Sequence, residues 1–310
     1  LVLVALVLSG CRANPGGKEI IHVGINQYVE FGALDDCREG FIQALEDQGY
    51  KDGDNISIDY QNAQADMPTA QAIAQQMASD QKDLIFAIAT PSAQASYNAT
   101  KDIPILVSAV TDPVMAEIVE SMETPNTNVS GTSDYLPVER QVELIKMMVP
   151  HAKKIGVMYN TSEVNSEVQV EELKKAAIAY DVIASGVTST NDIKSAVSAL
   201  VGKIDVLYVP TDNLVVSAMP LVAKTAVEAE IPVIASEGGS VEDGALATVG
   251  INYYNLGYET GKMAVEVLEG ADISKMPVKI MEETDVFINE GALKALGMEA
   301  PNIDNIVYVK

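Results

Sequence analysis

Short, continuous apolar runs separated by helical patterns constrain this chain more than any other feature. Strand-like runs fall at Ile20–Ile25, Ile56–Tyr60, Asp83–Ala89 and Ile105–Val110, with helical patterns at Ala33–Gln48, Met67–Ser79 and Pro91–Thr100 between them. A second series places strands at Ile155–Tyr159, Asp181–Ala184, Asp205–Val209 and Pro232–Ala235. Its helices are expected at Val138–Met148, Glu163–Tyr180, Asn191–Val201 and Leu214–Glu230. Strands alternating with helices of this length build βαβ units around parallel sheets. Because the runs are continuous rather than alternating, both faces of each sheet should be covered. A chain of 310 residues exceeds what one core usually holds. The expected class is therefore α/β, with two doubly wound parallel-sheet lobes.

The first series ends near Asn126–Gly131, and the second near Ala247. What remains is a strand at Ala245–Ile251, a helix at Leu256–Glu269, a strand at Val278–Met281 and a short helix at Gly291–Leu296. These are too few for a third domain and are placed as returns, one to each lobe. Lobe 1 is then expected from 20–132 and 248–277, and lobe 2 from 133–247 and 278–310. Three crossings between lobes make a three-crossover hinge. Thr90-Pro91 reads as an N-cap before a proline at the first helical position, and Asp112-Pro113 as another helix start.

The apolar run Leu1–Leu8 is followed by Ser9-Gly10-Cys11 and a soft polar segment. An apolar core, then small residues, then a break is the layout of a cleaved secretory signal. With the cysteine after the small pair it resembles the lipobox of a bacterial lipoprotein. The resemblance implies a signal remnant over 1–10, a lipidated Cys11 and a linker over 11–19. The positive n-region expected before the apolar run is missing, so the chain reads as starting inside the signal. An extracytoplasmic protein follows, held at the membrane only through its anchor. With 44 acidic and 20 basic residues the net charge is −24, which repels phosphate backbones and argues against a nucleic-acid partner. Cys37 shares a stripe with Leu34, Phe41 and Leu45 at helical spacing and reads as a buried hydrophobe.

Ligands of open α/β sheets bind beyond the carboxyl ends of the strands. The segments there carry hydroxyl, amide and carboxylate groups: Asn26-Gln27-Tyr28, Thr90-Pro91-Ser92-Ala93-Gln94, Thr111-Asp112, Tyr159-Asn160, Thr211-Asp212-Asn213 and Glu237. The helix start at Ser92, Ala93 and Gln94 offers N–H groups to an anion. Asp112, Asp212 and Glu237 offer carboxylates to an ammonium. Tyr28, Phe31 and Tyr159 read as an aromatic wall. Together these groups suit a zwitterion caught between two facing lobes.

Several of these segments recur in the order of one family: Thr90–Gln94, Val110–Val114, Gly131-Thr132-Ser133-Asp134, Val209–Asn213, Glu237-Gly238-Gly239 and Asn289–Gly297. Over residues 19–310 the chain resembles a substrate-binding lipoprotein of an ABC importer, in the branch with tryptophan- and phenylalanine-binding members. The resemblance implies the type I periplasmic-binding fold, a monomer, a small-molecule ligand and an ABC permease as partner. It implies Ser92, Ala93, Asp112, Asp212 and Asn213 as ligand contacts, with Asn26, Tyr28, Tyr159, Asn160 and Glu237 around them, and the strand-end reading adds Thr90, Gln94 and Thr211.

Catalytic motifs fail. His22 and His151 are isolated, and no G-x-S-x-G elbow occurs. Gly257–Lys262 is one residue short of a phosphate loop and lies in a helical pattern. No enzyme activity, cofactor or metal is expected. The expected function is capture of an apolar or aromatic amino acid for import. A sensory module of the same fold, or a binding protein for a sugar or nucleoside, stands as the alternative.

Overall fold

A computed structural model describes residues 20–303 and 305–310; the expected signal remnant and Cys11 lie outside the described residues. The first lobe is built from β1 (Ile21–Gln27), α1 (Gly32–Asp47), β2 (Ile56–Asn62), α2 (Met67–Ser79), β3 (Leu84–Ile88), α3 (Thr90–Ala99), β4 (Ile105–Ser108) and β5 (Val129–Ser133). The chain then crosses to α4 (Val138–Met148), β6 (Lys154–Asn160), α5 (Val164–Ala176), β7 (Asp181–Val187), α6 (Thr190–Leu200) and β8 (Val206–Tyr208). Next come α7 (Asn213–Val216), α8 (Met219–Glu228), β9 (Val233–Ile234), α9 (Gly238–Glu242) and β10 (Ala247–Gly250). It returns through α10 (Tyr253–Leu268) and β11 (Lys279–Ile280), and crosses again to β12 (Asp285–Asn289), α11 (Glu290–Leu296) and β13 (Ile306–Val309).

Two sheets result, ordered β11-β5-β4-β3-β1-β2 and β13-β12-β10-β9-β8-β6-β7. Strands β3 and β4 are buried along their whole length, as largely apolar runs between two helical layers should be, and so is the polar β5. One core joins the first sheet to α1, α2, α3 and α10, with Phe41 stacked on Phe86 at a ring separation of 3.9 Å. Cys37 is fully buried there, and burial pushes its thiol pKa upward. Helices α1 and α10 touch backbone to backbone. A Cβ on Gly40 or Gly257 would overlap the carbonyls of Tyr254 and Cys37. The glycines that looked like part of a phosphate loop are thus a helix-packing device.

The structure moves several boundaries. Residues 248–250, assigned to lobe 1, pair within the second sheet, and Lys279–Ile280, assigned to lobe 2, pair with β5 in the first. The crossings therefore fall after Ser133, Gly250 and Ile280. Strand β5 replaces an expected polar boundary. Its Ser130, Thr132 and Ser133 hydroxyls are buried and bonded, Thr132 to Ser108 and Thr260 at 2.9 and 2.8 Å, so hydrophobic pattern could not reveal it. Strand β12 runs antiparallel to β10, an exception to the expected parallel sheet. No helix starts at Asp112. Its carboxylate accepts from Val114 N and Met115 N and holds a turn instead. Thr90 is the first residue of α3 rather than its cap, because Ala89 takes that place with φ 77°. The helix expected over Leu214–Glu230 divides into α7 and α8 just before Pro220.

Candidate functional site

Segments leaving the carboxyl ends of both sheets meet between the lobes. Thr111, after β4, and Thr211, after β8, are 3.1 Å apart through their hydroxyls. Beside them lies a small cavity between the lobes. First-lobe elements contribute Phe31, Leu34, Ala109 and Tyr253, and the first crossing contributes Asp134. The second lobe contributes Asn165, Thr211, Asn213, Val216 and Glu237. Ala109 has φ 56°, a left-handed conformation that costs a non-glycine residue energy and bends the chain away from β4 at the cavity wall.

The polar atoms of this cavity are unbalanced. Asp134 Oδ2 accepts from the Tyr253 hydroxyl at 2.9 Å, but Asp134 Oδ1 has no partner in the protein. Glu237 caps α9 by accepting from Ser240 N at 2.6 Å, leaving its Oε2 without a partner. The Asn165 amide donates to Thr211 O at 2.8 Å, leaving Oδ1 unpaired. All three side chains are more than nine-tenths buried. Burial pushes the Glu237 carboxyl up to about 7 and raises that of Asp134. No lysine, arginine or histidine lines the cavity. Such a place accepts hydrogen bonds from a cationic donor and packs an apolar group against Phe31, Leu34 and Val216.

A second acidic cluster lies deeper in the second lobe and is fully bonded. Glu163 accepts from Asn160 Nδ2, Asn213 N, Asn213 Nδ2 and Leu214 N at 2.6–3.2 Å. Asp212 accepts from Asn160 N, from Ser166 Oγ at 2.7 Å and from Val215 N at 2.8 Å. Burial and the adjacent Glu163 raise the Asp212 pKa.

Comparison with known proteins identifies this architecture. The family model described as "ABC transporter substrate binding protein" matches residues 22–306. The chain belongs to that family. Against a tyrosine-binding protein of Clostridioides difficile (strain R20291), this substrate-binding protein is 56% identical over 322 residues, covering 100% of this chain and 93% of the relative. A ligand-free, open substrate-binding protein with adhesive properties from Clostridium difficile is 60% identical, covering 94% of this chain and 99% of that one, with a TM-score of 0.72. A complex with L-Trp from Streptococcus pneumonia is 37% identical, covering 94% and 100%, with a TM-score of 0.90. Leucine-binding, isoleucine-binding and myo-inositol-binding proteins at 12–15% identity share the type I periplasmic-binding fold, with TM-scores of 0.60–0.64. The family consists of non-enzymatic, extracytoplasmic solute-binding proteins.

Of the residues predicted for this substrate-binding protein, Phe31, Thr211, Asn213 and Glu237 line the cavity. Others serve its walls. Ser92 Oγ donates to Asn26 Oδ1 at 3.2 Å, and Asn26 Nδ2 reaches Ser96 Oγ at 3.3 Å, so this pair ties α3 to β1. Tyr28 is buried and donates to Ala65 O at 3.0 Å. Thr90 and Ala93 are buried at the start of α3, and Gln94 donates to Ala116 O at 3.1 Å. Tyr159 packs against the second-lobe core, and Asn160 belongs to the Glu163–Asp212 cluster. Asp212 and Asp112, expected to take an ammonium, spend their bonds on backbone and hydroxyl groups. Sequence reasoning gave no role to Asp134, Asn165, Val216 and Tyr253. Asp134 did carry a signal, since it closes the recurring Gly131-Thr132-Ser133-Asp134 segment at a strand end.

Proposed function

We propose that this chain captures an amino acid with an apolar or aromatic side chain in the inter-lobe cavity and presents it to an ABC permease. The observation that carries this reading is the cavity itself. Both lobes line it, one wall is apolar, and its unpaired polar atoms are all acceptors. Tyrosine binding by one relative and an L-Trp complex of another support an aromatic solute. The lobe arrangement here is also nearer to the L-Trp complex than to the open, ligand-free relative, although the latter is more similar in sequence.

Capture works by population shift. A solute that touches both lobes binds the closed arrangement better than the open one, and only that difference in affinity moves the equilibrium. The three chain crossings are the hinge that absorbs the motion. Lipid on Cys11 holds the protein near its permease, and it acts as a monomer. Calorimetry with a panel of amino acids on refolded, ligand-stripped protein tests the reading. Micromolar binding of tyrosine, tryptophan or phenylalanine is expected. Absence of any amino-acid binding below about 1 mM, some 4 kcal/mol, would remove it.

A further inference from the structure

Both sheets turn their carboxyl ends toward the cleft, so their amino ends form the two outer poles of the molecule. At the second-lobe pole, α4, α5 and α6 run into β6, β7 and β8, which are neighbours in the order β8-β6-β7. The turns from the last turn of each helix to the start of the next strand are 145–154, 173–181 and 197–206. They carry Lys146, Lys153, Lys154, Lys174, Lys175 and Lys203, all exposed, against Asp181 and Asp205. Backbone bonds hold the turns together: Asp181 N donates to Lys153 O at 2.8 Å, and Asp205 N to Lys154 O at 2.9 Å. The Asp205 carboxylate is spent on Lys153 N and Lys154 N at 2.7 and 2.8 Å. Among the described residues, only Lys174 of the six lysines has a carboxylate partner, Glu171. Each turn also carries a large apolar side chain in the open: Met147, Ile178, which is 90% exposed, and Val201. We propose that this pole is a docking surface for an anionic lipid bilayer, with the lysines on headgroup phosphates and the three apolar tips in the interface.

Neither half of the patch is a by-product of the fold. Helix C-termini do favour cations, but the first lobe has the same three helix-to-strand turns and fills them differently. Over 44–56, 76–84 and 96–105, seven acids stand against three lysines. No large apolar side chain is exposed there, since Tyr50 and Ile103 are partly buried. The chain as a whole has 44 acidic and 20 basic residues and a net charge of −24. A basic pole on such a chain is a local reversal of sign. It ends at β9, where Glu228 and Glu230 precede the strand.

A bilayer fits this surface better than a soluble partner does. The apolar tips stand on three separate turns among lysines, which suits shallow entry below a layer of phosphates. Each lysine near an anionic surface is worth about fivefold in affinity, and the attraction fades within a Debye length of about 8 Å at physiological salt. A single acyl chain binds a membrane only marginally, and a basic patch is a second signal that makes attachment stable. Ile20, where the chain enters β1, lies at the acidic pole. The basic pole is thus a second foot at the far end of the molecule, with the cleft between the two and left uncovered. The inference is independent of which solute enters the cavity.

Vesicle sedimentation tests the proposal, on protein carrying Cys11→Ser so that no acyl chain contributes. The protein should bind vesicles of phosphatidylglycerol and phosphatidylcholine in equal parts. It should bind pure phosphatidylcholine at least about tenfold more weakly, and detach from the anionic vesicles as salt rises from about 50 to about 300 mM. Lys153→Glu with Lys154→Glu and Lys203→Glu should lose at least about 50-fold in affinity at an unchanged melting temperature. Lys51→Glu with Lys101→Glu, at the acidic pole, should bind as the parent does. Equal binding to the two kinds of vesicle, or parental binding by the triple variant, would overturn the proposal. The chain has no tryptophan, so Ile178→Trp adds a single reporter. Its emission should shift to the blue on anionic vesicles and be quenched by brominated acyl chains, while an Asp102→Trp reporter stays unchanged. Charge-dependent binding with a silent Ile178→Trp reporter would point to a soluble polyanion or an acidic protein, and would overturn the bilayer as the occupant.

Discussion

Two pairs of buried acids lie close to one another between and beneath the lobes, and they are wired in opposite ways. Glu163 and Asp212 are surrounded by donors from Asn160, Ser166, Asn213, Leu214 and Val215. Asp134 and Glu237 are as deeply buried and line the cavity, yet each keeps one oxygen without a partner. Burial of a carboxylate thus says nothing of its task. A saturated acid is a strut that joins α5, α7 and the end of β6 into one block. An unsaturated one stores a demand that a ligand can meet.

The largest effect expected from this contrast is on folding. Glu163→Ala strands several buried N–H donors and should cost about 3–5 kcal/mol of stability, read from urea unfolding. A loss under about 1 kcal/mol would show that the cluster is not a strut. Next comes Glu237→Gln, which keeps an acceptor for the α9 cap but removes the charge. It should weaken amino-acid binding by about 2–5 kcal/mol without lowering the unfolding midpoint. A variant that binds normally would erase the distinction between the two pairs.

The pH dependence of stability ranks third. The folded-state pKa of Glu237, about 7, lies above its ordinary value of 4.5, and that of Asp212 is raised too. Raised carboxyl pKa values contribute stability that is present in acid and lost as pH rises through the folded value. Ligand-free protein should therefore unfold at a higher temperature at pH 6 than at pH 8. Glu237→Gln should reduce the difference, whereas a higher melting point at pH 8 would contradict the wiring described. Ser92→Ala is the smallest. It removes the bond to Asn26 and should cost about 1 kcal/mol of stability without changing affinity. A large loss of affinity would return Ser92 to the site.

The fold was readable because buried parallel strands are continuous apolar runs, and β1, β3, β4, β6 and β8 all announce themselves in that way. Strand β5 did not, since its buried positions are serine and threonine satisfied by hydroxyl bonds. Lobe boundaries slipped by a few residues because a strand end carries no mark of the sheet it joins. At the site, the rule of strand carboxyl ends found Thr211, Asn213 and Glu237. It could not separate Glu237 from Asp212, because both cap helices and both follow strands. What divides them is the count of donors around each oxygen, which is a property of three-dimensional packing. Asn165 was hidden for the same reason, lying inside the first turn of α5 rather than at the strand end itself.

A crystal structure of the L-tyrosine complex tests the central claim most directly. The ammonium nitrogen should lie within about 3.2 Å of Asp134 Oδ1, Asn165 Oδ1 and Glu237 Oε2, with the ring against Phe31 and Val216. An ammonium placed on Asp112 or Asp212, with those three oxygens turned to other partners, would contradict it.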